Sequence, residues 1–192
     1  MRERAVFWLP LLALYTGARA NELCKLKVTD VRHEDDICYL DINEEPHSNP
    51  KIRPNVKTPS SVRRIPLHAD LIAFGFLDHV AAQRAEKAEH LFSELKPNTI
   101  GKMQDGFGKH FRRFLISVDV KRAKIDFHSF RHTWVDACTN SGIADTTTLR
   151  LKGDALPGTL NRYGNGKADM ELLAEGMKLL NFKGLDLDHL RV

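Results

Sequence analysis

The segment Phe127-His128-Ser129-Phe130-Arg131-His132 sets an imidazole and a guanidinium three residues apart. On a helix that spacing projects both side chains from one face. A proton-transfer group beside a fixed cation suits a phosphoryl oxygen. His128 and His132 stand four apart, the spacing of a metal pair, but a zincin helix needs Glu where this chain has Ser129. No metal is expected there. Two other segments carry complementary parts. In Thr16-Gly17-Ala18-Arg19-Ala20-Asn21-Glu22-Leu23, Gly17 permits a sharp turn that sets Arg19 at the start of a short helix. Glu22, three residues on, can hold its guanidinium. Arg162-Tyr163-Gly164 offers a phenol, a competent nucleophile when cations lower its pKa or a base takes its proton. Two Arg, one His and one Tyr are the parts that attack a phosphodiester without metal.

These groups need elements to position them. Hydrophobic spacing predicts a mostly buried helix over residues 4–16 and a short helix over Asn21–Lys27. Strands are expected at Val28–Val31, Ile37–Ile42 and Val62–Leu67, with His33–Asp36 as a polar turn and residues 44–61 as a long exposed loop. The remainder reads as helices at 69–88, 99–118, 127–141, 145–152 and 169–182. Ile100 is placed on the apolar face of the second of these, and Leu172 in the apolar stripe of the last. The expected fold is mainly α with a small three-stranded antiparallel sheet, in one domain.

Composition narrows the class. The chain has 192 residues, 42% hydrophobic and 28% charged, as in a folded globular domain. Three Cys at irregular spacing exclude a disulfide scaffold and suit a reducing compartment. Lys and Arg number 29 against 25 acids, a net charge of only +4. That total hides segregation: acids fill 34–45, while bases dominate 51–64 and 102–124. Clustered bases suit a phosphate backbone. The basic start, the apolar run 5–15 and Ala18-Arg19-Ala20 outline a secretory signal. Glu3 and Pro10 weaken that outline, and a buried first helix is the alternative.

The blocks LLALYTGARANEL, NVKTPSSVRRIPL and HSFRH, with the Tyr163 segment, resemble the catalytic domain of the tyrosine recombinase (phage integrase) family. They occur in the family's order, at similar spacings, over nearly the whole chain. The resemblance implies a DNA breaking-rejoining fold and a site-specific strand transferase. Arg19 resembles the first catalytic arginine, buttressed by Glu22. Lys57 resembles the lysine that protonates the leaving 5′ oxygen, with Lys51 as the alternative. His128 and Arg131 resemble the His-x-x-Arg pair, and His132 a supporting residue. Tyr163 would attack phosphorus and form a 3′-phosphotyrosyl link, with no cofactor, metal or ATP. The expected DNA-binding residues are Arg53, Arg63, Arg64, Lys109, Arg112 and Arg113. Expected partners are double-stranded DNA at attachment sites and further copies of the chain in a tetramer on DNA, docked through helix 169–182. No membrane partner is expected, and the implied setting is the cytoplasm of a bacterium, with a prophage or other mobile element as the source.

The chain departs from the family pattern at one catalytic position. Nine residues before the tyrosine, members typically carry His or Trp; here Asp154 stands there, in Leu151-Lys152-Gly153-Asp154. An anion at that place opposes substrate charge unless it is protonated or paired with Lys152 or an arginine. A helical DNA-clamping domain, usual ahead of the catalytic domain, is not expected within residues 1–192. The resemblance also favours the buried helix over the signal, since cleavage after Ala20 would remove Arg19. Two other readings share these residues: a DNA-binding module silenced by Asp154, and a type IB topoisomerase.

Overall fold

A computed structural model describes residues 4–52, 59–156 and 169–192. Helix α1 (Arg4–Thr16) is the core element the apolar run requires, with Leu9 and Leu12 fully buried. Among the described residues no helix is long and apolar enough to cross a membrane. Helix α2 (Ala20–Cys24) follows the Gly17 turn and buries Leu23.

Three antiparallel strands come next in the order β1 (Val31–Glu34), β2 (Ile37–Ile42) and β3 (Arg63–Pro66). Val31 pairs with Leu40, and Leu40 with Ile65, so one face of the sheet is apolar and enters the core. The first strand lies three residues later than its sequence suggests. Val28–Asp30 is instead a 3₁₀ turn, closed by the buried Asp30 carboxylate accepting the Lys27 N–H at 2.8 Å. His33 and Glu34 therefore belong to β1, and the hairpin turns at Asp35-Asp36.

The predicted helix 69–88 is two helices, α3 (Ala69–Ala73) and α4 (Phe76–Ala85), divided at Gly75 where φ is +85°. Helix α5 (Gln104–Ser117) starts later than Thr99. The Asn98 side chain accepts the Ile100 and Lys102 N–H groups at 3.0 and 2.8 Å, which makes a turn of that stretch and leaves Ile100 exposed. Helix α6 (Ser129–Asn140) packs on α1 and buries Arg131, Trp134, Ala137 and Cys138. Helix α7 (Asp145–Lys152) leads to Gly153.

Helix α8 (Met170–Leu179) starts at Asp169, whose carboxylate accepts the Glu171 N–H at 3.0 Å. It lies on β3 and α7, and Leu173, Met177 and Leu180 join the core. Leu172 is exposed rather than part of that stripe.

Candidate active site

Three chain segments meet at Arg131. Helix α6 presents Arg131 and Trp134 one turn apart. The Trp134 ring fills the space beside the Gly17 turn, where φ is +62° and a Cβ would lie 2.5 Å from the indole. That close approach brings the Gly17 carbonyl to Arg131, which donates to it from Nη1 at 2.7 Å. The same nitrogen donates to the Lys152 carbonyl at 3.0 Å. Arg131 is thus fixed by two backbone oxygens from segments far apart in sequence, the Gly17 turn and the end of α7. Burial, then the charges of Arg19 and Arg63, push its guanidinium down to about 10. It remains a cation at neutral pH.

Arg19 sits where the Gly17 turn predicts, just ahead of α2. It donates to Glu22 Oε1 at 2.9 Å, while its backbone N–H reaches Glu22 Oε2 at 2.8 Å. Glu22 also receives Arg63, at 2.8 Å. Burial would raise the Glu22 carboxyl, but Arg63 and Arg19 outweigh it and hold it below the ordinary carboxylate range.

Arg63 corrects an expectation. It is not a DNA-facing residue: its side chain is 4% exposed. It donates to the Leu151 and Ser61 carbonyls at 2.7 and 2.8 Å. Gly153, at φ +77°, leaves room for it, since a Cβ there would lie 2.8 Å from Arg63 Nη1. The alternation of β3 carries the signal, because Arg63 and Ile65 share the core-facing side of the strand.

Asp154 closes the cluster. Its Oδ1 lies 3.1 Å from Arg131 Nη2 and 3.4 Å from Arg19 Nη2, and its Oδ2 lies 2.7 Å from Lys152 Nζ. Burial would raise this carboxyl as well, yet Lys152, Arg131 and Arg19 together hold it below its ordinary value. Four cations surround two carboxylates, so the cluster keeps an excess of two positive charges. An oxyanion shared by Arg19 and Arg131 is the ligand this arrangement accommodates.

His128 occupies the residue before α6, and its N–H donates to Asp126 Oδ1 at 2.8 Å. Neighbouring Phe127 is wedged edge-on against Phe107 and Phe111 of α5, at 5.1 and 5.3 Å between ring centres, which fixes the entry to α6. Burial first, then the charges of His132 and Arg131, lower the His128 pKa, so the ring is neutral at pH 7 and able to accept a proton. His132 stands against it edge to face, at 5.1 Å. Arg19, Asn21, Phe111, Arg112, Phe127 and His128 line an open groove of about 570 Å³ beside the cluster.

The structure therefore unites Arg19, Glu22, Arg131 and Asp154, with His128 on the adjoining groove. Arg53, Lys57 and Tyr163 lie outside the described residues. Lys51 is exposed. Lys109, Arg112 and Arg113 are exposed on α5. Arg64 pairs with Glu34 at the sheet surface and lies over the Tyr39 ring.

The phage integrase family matches residues 1–168. No curated protein matches the chain. Among solved structures, the integrase from mycobacterium phage Brujita superposes with a TM-score of 0.59 at 17% identity, over 99% of this chain and 56% of its own. The Tn1549 transposon integrase, in complex with transposon right end DNA, gives 0.55 at 22% identity, over 89% and 57%. The site-specific recombinase XerH, in a post-cleavage complex with palindromic difH DNA, gives 0.51 at 21% identity, over 84% and 41%. These likenesses are likenesses of fold, and the chain spans roughly half the length of the structures it matches.

Proposed function

The chain belongs to the phage integrase family, and from that premise we propose that it is the catalytic domain of a site-specific DNA strand transferase. The observation that carries this reading is the convergence of Arg19 and Arg131 on one oxygen of Asp154. In the reaction a non-bridging oxygen of the scissile phosphate takes that position. The two guanidiniums then stabilise the charge that develops on a pentavalent phosphorus. Tyr163 attacks the phosphorus and His128 receives its proton. The bond from phosphorus to the 5′ oxygen breaks, and Lys57 protonates that oxygen. The phosphotyrosyl link keeps the energy of the broken bond, so a second 5′ hydroxyl can reverse the step. Two of the matched proteins are solved on DNA, which fits duplex DNA as the partner here, in the service of a mobile element.

Covalent capture tests this. The chain is incubated with a pool of random-sequence duplexes carrying nicks, and protein–DNA adducts are isolated under denaturing conditions. Adducts enriched for one sequence are expected, and Tyr163→Phe should abolish them. Equal capture by the Phe variant would overturn the nucleophile assignment.

A second reading rests on Asp154 itself. Its carboxylate already occupies both arginines, so the domain binds DNA without cutting it. Under that reading Asp154→His gains adduct formation where the parent chain forms none. Equal capture by parent and variant rejects it.

We propose further that the chain assembles as a tetramer on DNA. Helix α8 contributes through its outer face, which carries Leu172 and Leu179, because its inner face is already spent on β3 and α7.

A further inference from the structure

We propose that His47, Glu89 and His90 bind one divalent transition-metal ion, zinc by preference, at the stem of the loop joining β2 to β3. His47 Nδ1 and His90 Nε2 lie 3.0 Å apart, and the two rings are stacked 14° from parallel. One ligand atom from each of the three residues falls within 4.8 Å of the others. Two imidazole nitrogens on a tetrahedral zinc stand about 3.3 Å apart, from Zn–N bonds of about 2.0–2.1 Å. The present separation is a few tenths of an ångström short of that spacing, and the rings must also turn from facing each other to face a shared ion. Without metal, the nitrogens share a single hydrogen bond between them.

The backbone holds two of the ligands rigidly. Val28 N–H donates to the Glu89 carbonyl at 3.0 Å, and Leu91 N–H to the Leu26 carbonyl at 2.9 Å, so residues 89–91 are stitched to 26–28. The third ligand arrives on the loop, which is docked by the Ser48 N–H donating to Glu89 Oε1 at 2.7 Å. That contact orients the carboxylate, whose Oε2 lies 3.9 Å from His90 Nδ1, the ring nitrogen other than the one that faces His47. A His₂Glu set is nitrogen and oxygen, borderline in hardness, which suits zinc and leaves a fourth position for water.

Charge also permits a cation. Lys25, Lys27 and Lys96 face the pair. Lys27 is neutralised by Glu45 at 3.0 Å, and Glu89 and Asp30 bring negative charge to the rings. The ion would be structural: it ties His47, ten residues ahead of Lys57 in sequence, to the body of the domain. The site is separate from the arginine cluster, so it stands or falls independently of the strand-transfer reading.

The test uses the metal alone. The purified chain is stripped with EDTA and titrated with Co²⁺, whose tetrahedral complexes absorb visibly, and then with Zn²⁺ as competitor. One equivalent is expected, displaced by Zn²⁺, with a rise in melting temperature. His47→Gln and His90→Gln, checked for folding by circular dichroism, should weaken binding at least tenfold, while His132→Gln leaves it unchanged. A folded His47→Gln that binds as the parent does, or a parent that binds no equivalent, overturns the proposal. If neither variant folds, assigned imidazole NMR signals of the parent decide. Of the nine histidines, His47 and His90 must shift together at one equivalent of Zn²⁺, and a different pair overturns the assignment.

Discussion

The indole of Trp134 lies 2.5 Å from the point where a side chain at Gly17 would begin. Two constraints therefore meet at one residue, a left-handed φ of +62° and a neighbour that cannot give way, because Trp134 is fully buried. Gly17→Ala should destabilise the domain by about 3 kcal/mol, from overpacking added to left-handed strain. Gly142 is the control: its φ is +73°, but nothing lies within 4 Å of its missing Cβ. Gly142→Ala should cost about 1 kcal/mol, from strain alone. Urea unfolding of both variants checks the difference.

Glu22→Gln should be costly. The Glu22–Arg63 pair is buried on both sides, with side chains 3% and 4% exposed. Removing the carboxylate strands Arg63 beside Arg19 with two backbone carbonyls for partners. A loss of about 3–5 kcal/mol is expected, read as a lower urea midpoint at unchanged slope. Exposed Lys178, paired with Glu175 on the surface of α8, should tolerate Lys178→Ala within about 0.5 kcal/mol.

Asp154 predicts a pH dependence with a definite sign. Its folded pKa is lowered, so its stabilising contribution is complete above the unfolded value, about 3.9, and fades as pH falls through the folded one. Asp154→Asn should be less stable than the parent at neutral pH, and the gap should close below about pH 3.9. The same variant should bind duplex DNA more tightly, because the anion competing for Arg19 and Arg131 is gone. Fluorescence anisotropy at several salt concentrations reads that effect.

Under the proposed reaction, His128 sets the acid limb. Its pKa is lowered, so the fraction able to accept a proton stays high until the pH drops below the 6.5 of a free imidazole. Adduct formation should therefore fall with an apparent pKa under 6.5. A limb above that value would mean that another group takes the proton. Arg131→Lys should abolish capture at all pH values: the burial that lowers Arg131 would bring a lysine closer to neutrality, and one ammonium cannot span Gly17, Lys152 and Asp154.

Under the proposed assembly, helix α8 serves folding with one face and association with the other. Deleting residues 169–192 uncovers the core beneath Leu173, Met177 and Leu180, each worth about 1.5–3 kcal/mol when buried. The truncated domain should melt markedly lower. The double variant Leu172→Glu with Leu179→Glu changes only exposed positions. It should keep the parent melting temperature and reduce multimers on DNA, as seen by light scattering.

Much of this was legible in the residues. Helical periodicity located α1, α6, α7 and α8, and alternation located β2 and β3. The union of Arg19 with Arg131 followed from the family pattern, and Glu22 as a buttress from its spacing to Arg19. What escaped was decided by side chains that replace backbone partners. Asp30 converts an apparent strand into a turn by capturing Lys27, and Asn98 delays α5 in the same way. Arg63 escaped because a basic run looks alike whether its members face water or a buried glutamate. Only its register on β3 distinguishes it.

The Gly153 turn has a consequence for how the site could change over evolutionary time. The N–H groups of Gly153 and Asp154 both return to the Leu149 carbonyl, at 2.9 and 3.0 Å. The main-chain N–H of residue 154 is therefore held by a bond that does not depend on its side chain. Such a position is a socket: aspartate can be exchanged for a proton donor or an aromatic ring without redrawing the path of the chain. The chemistry at this corner can drift by single substitutions while the fold stays still.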